Sequence, residues 1–376
     1  MLSRLTSAHY LDTSIFLREQ THLFRKLWLF AAFRTALAEP NAFVTRELGG
    51  LPVLLQNCAG EIHAFENSCP HRQMPIQKDA FGQARMICPY HGWVFGHEGE
   101  VKTIPHEQKL YGYSKEERAG LCLRRYAVRE IGNLVFINLD ENPIPFDSQF
   151  SPALQEKLRT ISGHFGAQSV HANLAAHYNW KLNYENVLDY NHVPYIHPKS
   201  FQPLLLDSHA YVHQSQNDDG SISATAQDQF ADQDLAALSF WTRSPIHIEA
   251  WPWHEMVDRY GDGDFYYNFF LYPNVNFISL GGLTFLLQQF HPLAPDRTEV
   301  RFTLTTAKEK RRFTGLPAIL WGHLKSEVSV LNEDLKYLEA LQAGLHTGSR
   351  SANHGLYEDR LASAADVYLR FMEGGQ

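Results

Sequence analysis

The sequence predicts an α+β chain in two parts: a small all-β domain, then a larger domain in which helices cover an antiparallel sheet. Three observations carry this expectation. Between residues 42 and 138, short apolar runs of strand character recur between turns, the pattern of a small sandwich or barrel. After residue 246, four or five alternating runs precede two long helix-forming stretches, and strands followed by helices point to a sheet with helices on one face. The 376 residues are too many for one small module and suit two cores.

Composition narrows the class. Hydrophobic residues make up 44% and charged residues 20%, the balance of an ordinary globular protein. A net charge of −8 without long single-sign runs argues against nucleic acid or an anionic membrane as partner. No apolar run approaches the roughly 20 residues of a membrane span. Residues 277–287 come nearest and are broken by Gly281-Gly282. The first residues lack the apolar core of a signal peptide, and four cysteines fit a reducing compartment, so a cytoplasmic location is expected. Cys58 and Cys122 read as buried small residues.

Taken in order, residues 1–26 read as a helix capped at Asp12 or Thr13, with Phe16, Leu23, Phe24 and Leu27 at helical spacing. Residues 1–40 are expected to pack on the larger domain. Strands follow over 42–48, 51–56, 62–65, 93–95, 121–128 and 134–138, within a domain of residues 41–147. The polar, proline-broken run Asp140–Asp147 ends it. The domain of residues 148–376 opens with a helix over 151–161, a strand over 169–176 and a helix over 179–193. A turn is expected at Asn217-Asp-Asp-Gly220, then strands over 246–250, 265–271, 275–280, 284–291 and 299–305, and helices over 317–343 and 357–372.

The first chemical motif is Cys69-Pro-His71 with Cys88-Pro-Tyr-His91, two proline-bearing arms separated by 16 residues. Two Cys and two His suit tetrahedral zinc. Common zinc modules, however, pair cysteines on one knuckle and histidines on another, whereas here each arm is mixed. A binuclear [2Fe–2S] centre accounts for the mixture, each arm sending its Cys to one iron and its His to the other. CPHRQMP…CPYHGW resembles the Rieske iron–sulfur motif.

The second motif lies in NYENVLDYNHVPYIHP. Asp189 and His192 stand at i,i+3 and share a helix face. His192 and His197 are five apart, but Pro194 and Pro198 end the helix and free His197 to converge on the same ion. Two imidazoles and a carboxylate make the facial triad of non-haem Fe(II) oxygenases. Alone, such a stripe is more often a solvated polar face. On the late helix, Leu331, Leu335, Leu338 and Leu345 form an apolar stripe that includes Asp334 and, one repeat earlier, Glu327. Glu333 is expected to point away from it. A carboxylate on an apolar face needs a partner or a metal, so the third ligand is Asp334 or Glu327.

Asn186, Asp189, His192 and His197, together with the Rieske motif a hundred residues earlier, resemble the Rieske non-haem iron oxygenases, the α subunits of aromatic ring-hydroxylating oxygenases. The resemblance covers residues 10–372. It implies a helix-grip catalytic domain and a terminal oxygenase with two cofactors, a [2Fe–2S] cluster on Cys69, His71, Cys88 and His91 and a mononuclear Fe(II). Glu333-Asp334…Glu339…Gln342-Ala-Gly-Leu345 is similar to the family's late-helix segment, whose Asp binds iron, which selects Asp334 over Glu327. The resemblance makes Asp189 an electron bridge between His192 and the partner subunit's His91. A plainer role is to orient His192. It further implies a separate reductase or ferredoxin supplying NAD(P)H electrons, and a homotrimer with or without a β subunit. One departure stands in the first arm, Gln73 where many members carry Gly. Arg72, Lys78, Arg85, Lys102 and Lys109 surround the cluster motif as a docking patch or as scattered solubilising charge.

The expected reaction is hydroxylation or oxidative demethylation of a small organic substrate, an aromatic compound first and a quaternary ammonium compound as the alternative. Phe201, Phe240, Trp241, Trp251, Trp253, Phe265, Tyr267 and Phe269 offer a ring pocket or a cation–π cage, or are simply core. A Rieske electron carrier without oxygenase activity is the rival class, opposed by the residues after the cluster domain.

Overall fold

The computed structural model of the chain describes residues 3–189, 191–204, 213–216, 222–223, 225–227, 235–348, 351–355 and 358–374. The expected turn at 217–220 lies outside the described residues. Two compact units emerge, one of residues 24–144 and one of residues 1–23 with 145–376. The later division falls inside the proline-broken run 140–147.

In the first unit a seven-stranded antiparallel sheet runs in the order Trp28–Phe33, Leu134–Asn138, Arg125–Ile131, Glu61–Glu66, Leu51–Cys58, Ala42–Leu48, Phe81–Gln83. Residues 24–40 belong to this unit and not to an N-terminal helical segment reaching residue 40. The cause is the run WLFAAF, buried at every position, which pairs with Leu134–Asn138 as the terminal strand of the sheet. Val94–Phe95 and Val101–Thr103 form a separate two-stranded ribbon. Cys58 is buried as expected. Cys122 is exposed, because it sits in the loop before Arg125–Ile131 and not on an inward-facing strand position.

The N-terminal helix is not continuous. Asp12 takes an extended conformation between Ala8–Leu11 and Thr13–Glu19, and its side chain accepts from the N–H groups of Ser14 and Ile15. This segment is pinned to the second unit by a buried charge. Glu19 receives Lys181 Nζ at 2.5 Å, Trp180 Nε1 at 2.9 Å and the Tyr368 hydroxyl at 2.6 Å. A fully buried ion pair is tolerable only with such added hydrogen bonds.

The second unit is built on an antiparallel run of six long strands in the order Phe165–Ala176, Arg297–Ala307, Thr284–Ala294, Val275–Leu280, Phe265–Leu271, Phe240–Pro245, with short strands beyond the last. The expected strand over 246–250 does not form; the sheet instead takes 240–245. At Gly282, φ is +68° and any Cβ would lie 1.9 Å from the Tyr260 carbonyl oxygen, so the turn there requires glycine.

Strand periodicity sorts the two faces. Odd positions Phe269, Phe277 and Phe285 form one aromatic cluster with Phe165, which meets Phe277 and Phe285. Even positions Ile278, Leu286, Phe290, Val300, Phe302 and Leu304 pack against Leu316, Leu320, Leu324 and Leu331 of the long helix Leu316–Thr347. Truncating one of these leucines to Ala would cost about 2–5 kcal/mol. Asn268, Asn276 and Gln288 share the even face, and there the space under the helix stays open as a cavity. No helix among the described residues is long and apolar enough to cross a membrane.

Candidate functional site

The two Rieske-like arms fold as copies of one turn. Cys69 N–H donates to the Met74 carbonyl and Gln73 N–H to the Cys69 carbonyl. Cys88 N–H donates to the Trp93 carbonyl and Gly92 N–H to the Cys88 carbonyl. The turns bury both sulfurs and bring the His71 and His91 rings to 4.6 Å, with His71 stacked on Trp93. Burial pushes the Cys69 thiol up to about 11, while N–H groups of His71 and Arg72 work the other way. A thiol so placed ionises when a metal replaces its proton. Burial, then His91 and Arg72, hold His71 below the ordinary imidazole value. His91 Nδ1 is buried without a hydrogen-bond partner. Two buried sulfurs, two adjacent imidazoles and an unsatisfied ring nitrogen suit an iron–sulfur cluster.

The second constellation arises from a broken helix. Trp180–Leu188, capped by Asn179, ends because Asp189 turns extended, its Oδ1 accepting from Asn191 N–H at 2.7 Å. Asp189 and His192 therefore do not share the face of one helix, as the spacing alone predicts. They meet through this turn, Asp189 Oδ2 lying 3.6 Å from His192 Nδ1. His192 and His197 then bracket one separate turn, Val193–Ile196, opened by Pro194.

The long helix completes the group. Asp334 Oδ1 lies 3.1 Å from His197 Nε2 and 3.8 Å from His192 Nε2. One donor atom from each of the three lies within 4.8 Å of the others. Asp334 is buried, and its Oδ1 and His192 Nδ1 lack hydrogen-bond partners. A carboxylate buried between imidazole nitrogens fits a divalent cation.

Glu333 corrects an expectation. It points away from the apolar stripe but not away from the site, because residues 197–200 run along that flank of the helix. Its Oε2 lies 2.7 Å from His197 Nδ1 and accepts from Ser200 Oγ at 2.5 Å. The Ser200 bond foremost, then His197, holds the Glu333 carboxyl below its ordinary value. Burial opposes charge on His197, but Asp334 and Glu333 outweigh it and raise the ring above the ordinary value. Each histidine thus turns Nε2 to Asp334 and Nδ1 toward an outer carboxylate, and at His197 the hydrogen bond to Glu333 is the arrangement that fixes tautomer and ring orientation around metals.

These groups line a cavity of about 340 Å³ between the long helix and the even face of the sheet. Glu327, the other stripe carboxylate, lines it two turns before Asp334. Of the eight aromatics expected near a pocket, Phe201 lines the cavity, edge-on to Tyr266 at 4.9 Å. Trp241, Tyr267 and Phe269 are buried and stack on one another, and Trp251 is exposed. Tyr266 and Phe290, absent from that expectation, contribute instead.

Comparison with known proteins agrees with this geometry. The Rieske [2Fe-2S] domain family matches residues 27–115, and the ring hydroxylating alpha subunit (catalytic domain) family matches residues 164–374. The glycine betaine monooxygenase oxygenase subunit of Pseudomonas aeruginosa is 28% identical over 64% of this chain and 53% of its own length. The carnitine monooxygenase oxygenase subunit of Acinetobacter baumannii is 27% identical over 55% and 56%. The large oxygenase component of the naphthalene 1,2-dioxygenase system of Pseudomonas aeruginosa is 30% identical over 53% and 46%. The chain spans about half the length of the curated relatives it matches. The crystal structure of the quaternary ammonium Rieske monooxygenase CntA superposes with a TM-score of 0.74 at 20% identity, covering 98% of this chain and 94% of that one. Naphthalene 1,2-dioxygenase from Rhodococcus sp. gives 0.73 at 17% over the same shares, a likeness of fold. With the catalytic-domain match spanning more than half of the 376 residues behind a Rieske domain, the chain belongs to the ring-hydroxylating α-subunit family.

Proposed function

We propose that this chain is the terminal oxygenase of a Rieske system, oxidising a small organic molecule with O₂. The observation that carries the reading is the trio of half-buried His192 with buried His197 and Asp334 on the wall of a substrate-sized cavity. Cys69, His71, Cys88 and His91 would hold the [2Fe–2S] cluster, and the trio the Fe(II). When bound, the mononuclear iron supplies O₂ activation and the cluster supplies electrons. The chain's own groups prepare the site. Glu333 and Asp189 face the outer nitrogens of His197 and His192, leaving the inner nitrogens free to ligate. The long helix and the even sheet face wall the cavity on two sides.

The substrate class favoured is a quaternary ammonium compound. Asn268, Asn276 and Gln288 on one wall and Glu327 on another would have to be desolvated around an unsubstituted ring. Relatives named for glycine betaine and carnitine support this. An aromatic substrate is the second reading, favoured by Phe201, Tyr266 and Phe290 in the same cavity. A reductase or ferredoxin passes electrons from NAD(P)H, and exposed Arg72, Lys78, Arg85, Lys102 and Lys109 offer it a basic surface. A head-to-tail homotrimer, with or without a β subunit, would set Asp189 between His192 and the partner subunit's His91.

The test is oxygen uptake by the iron- and cluster-loaded chain with a generic reductase, across glycine betaine, carnitine, choline and naphthalene. Uptake with the cations supports the reading. Uptake with naphthalene alone selects the aromatic reading, and a fully loaded chain inert toward all four removes the proposal.

A further inference from the structure

Three carboxylates line the cavity, Asp189, Glu327 and Asp334, and no lysine or arginine does so among the described residues. Two are accounted for. Asp334 sits between the two Nε2 atoms, and Asp189 lies beside His192 Nδ1 and accepts from Asn191. Glu327 makes no hydrogen bond or ion pair among the described residues. It caps no helix and braces no strand. An unpartnered carboxyl in such a place costs stability that the fold does not recover.

Its position has a direction. Glu327 precedes Asp334 by seven residues, so both face the cavity from one side of the helix, separated by about 10 Å along the axis. At the Asp334 end every carboxylate is engaged: Asp334 faces both histidines, Asp189 faces His192 and accepts from Asn191, and Glu333 faces His197 and accepts from Ser200. The Glu327 end carries an unmatched negative charge whenever its carboxyl is ionised. Burial pushes that carboxyl up to about 7, and a bound cation would favour the ionised form.

We infer that Glu327 is the specificity-determining residue of this oxygenase: it receives the cationic head of the substrate at the far end of the cavity and so presents the opposite end to His192, His197 and Asp334. The inference rests on the oxygenase reading above and deepens it. A cation finds the carboxylates of the metal end already engaged and is drawn to Glu327, so substrate enters in one orientation. A neutral molecule of the same shape gains none of this and leaves the carboxyl desolvated.

The experiment uses the loaded holoenzyme and two probes of nearly identical shape, choline and 3,3-dimethylbutan-1-ol, in which carbon replaces the charged nitrogen. Calorimetric titration without donor reads binding apart from turnover. Wild type is expected to bind choline at least tenfold more tightly than the neutral isostere. Glu327→Gln should bind the two equally, with unchanged iron content and an affinity for the isostere no weaker than wild type's, and Glu327→Asp should keep a preference. Absent choline binding or equal binding of both probes to wild type overturns the inference, as does a preference that survives in Glu327→Gln. If Glu327→Gln fails to fold, wild type and Glu327→Asp decide it by the same criterion. Charge discrimination in a chain that takes up no oxygen would leave this inference standing while the oxygenase reading fails.

Discussion

Gln73 and Gly92 occupy the same place in the two cluster arms. Each follows its cysteine by four residues, donates its N–H to that cysteine's carbonyl, and has a positive φ, 58° and 71° respectively. Glycine adopts this conformation freely, whereas a residue with a Cβ does so at a cost of about 1 kcal/mol. Gln73→Gly is therefore expected to stabilise the Rieske unit by about 1 kcal/mol, and Gly92→Ala to destabilise it by a similar amount. Denaturant unfolding of the holoprotein checks both. An unchanged midpoint in Gln73→Gly would show that the exposed glutamine relieves the strain by other means.

The carboxylates of the long helix differ in distance from the histidines, and iron content should rank them. Asp334→Ala is expected to lose the mononuclear iron, about one per chain, with the Rieske spectrum intact, since the two sets of ligands lie in different units. Glu333→Gln should keep the iron at saturation but weaken its binding roughly 10–100-fold, because His197 loses the carboxylate that orients it. Glu327→Ala should leave iron affinity unchanged. Metal analysis after graded chelation separates the three. Iron loss in Glu327→Ala with retention in Asp334→Ala would reverse the ligand assignment.

The sequence was informative where one local rule acts alone. The strand over 42–48, the alternation of 265–271 and 275–280, and the burial of Asp334 on a leucine stripe all follow from periodicity. It was less informative where two elements meet. Trp28–Phe33 becomes a strand of the sheet only through its pairing with Leu134–Asn138, a partner a hundred residues away. Strand parity, not aromatic character, decides which side chains reach the cavity. Trp241, Tyr267 and Phe269 are odd and pack in the core, whereas the even positions, where Asn268, Asn276 and Gln288 interrupt apolar residues, line the cavity. That break in alternation was visible in the sequence and was the signal to follow. Glu333 was misplaced because helical periodicity describes a core stripe and is silent about a loop on its flank.

Glu327 also predicts a pH dependence of stability. Its carboxyl titrates near 4.5 ordinarily and is pushed by burial up to about 7. Between those values the folded chain keeps a proton that the unfolded chain has released, so stability falls as pH rises through the window and levels above about 7. Glu327→Gln removes this contribution. The stability of the variant relative to wild type should grow between pH 4.5 and 7, by about 3 kcal/mol at most. His323 and Asp334 on the same helix and His192, His197 and Asp189 elsewhere on the cavity wall are common to both proteins and cancel in the difference. A flat difference across the window would place the carboxyl in water.

Asp189 poses the sharpest test of how the centres communicate. Its Oδ1 is engaged by Asn191 N–H, and its Oδ2 stands 3.6 Å from His192 Nδ1, on the opposite side of the ring from Asp334. It is placed to hold the imidazole from behind while remaining partly exposed, open to a group from another subunit. In Asp189→Asn the amide retains one acceptor and occupies the same volume, so both metal sites should stay filled. It carries no charge and cannot accept on both sides as a carboxylate does. Turnover is therefore expected to fall by orders of magnitude, while the donor still reduces the cluster at the normal rate. The measurement is single-turnover oxidation of the pre-reduced cluster with substrate and O₂ present. Slow oxidation with full iron content is the signature of a lost bridge between His192 and the partner subunit's His91. Wild-type oxidation would reduce Asp189 to a structural residue of its turn. Loss of mononuclear iron in the variant would make it an anchor for His192 and leave electron transfer to another route.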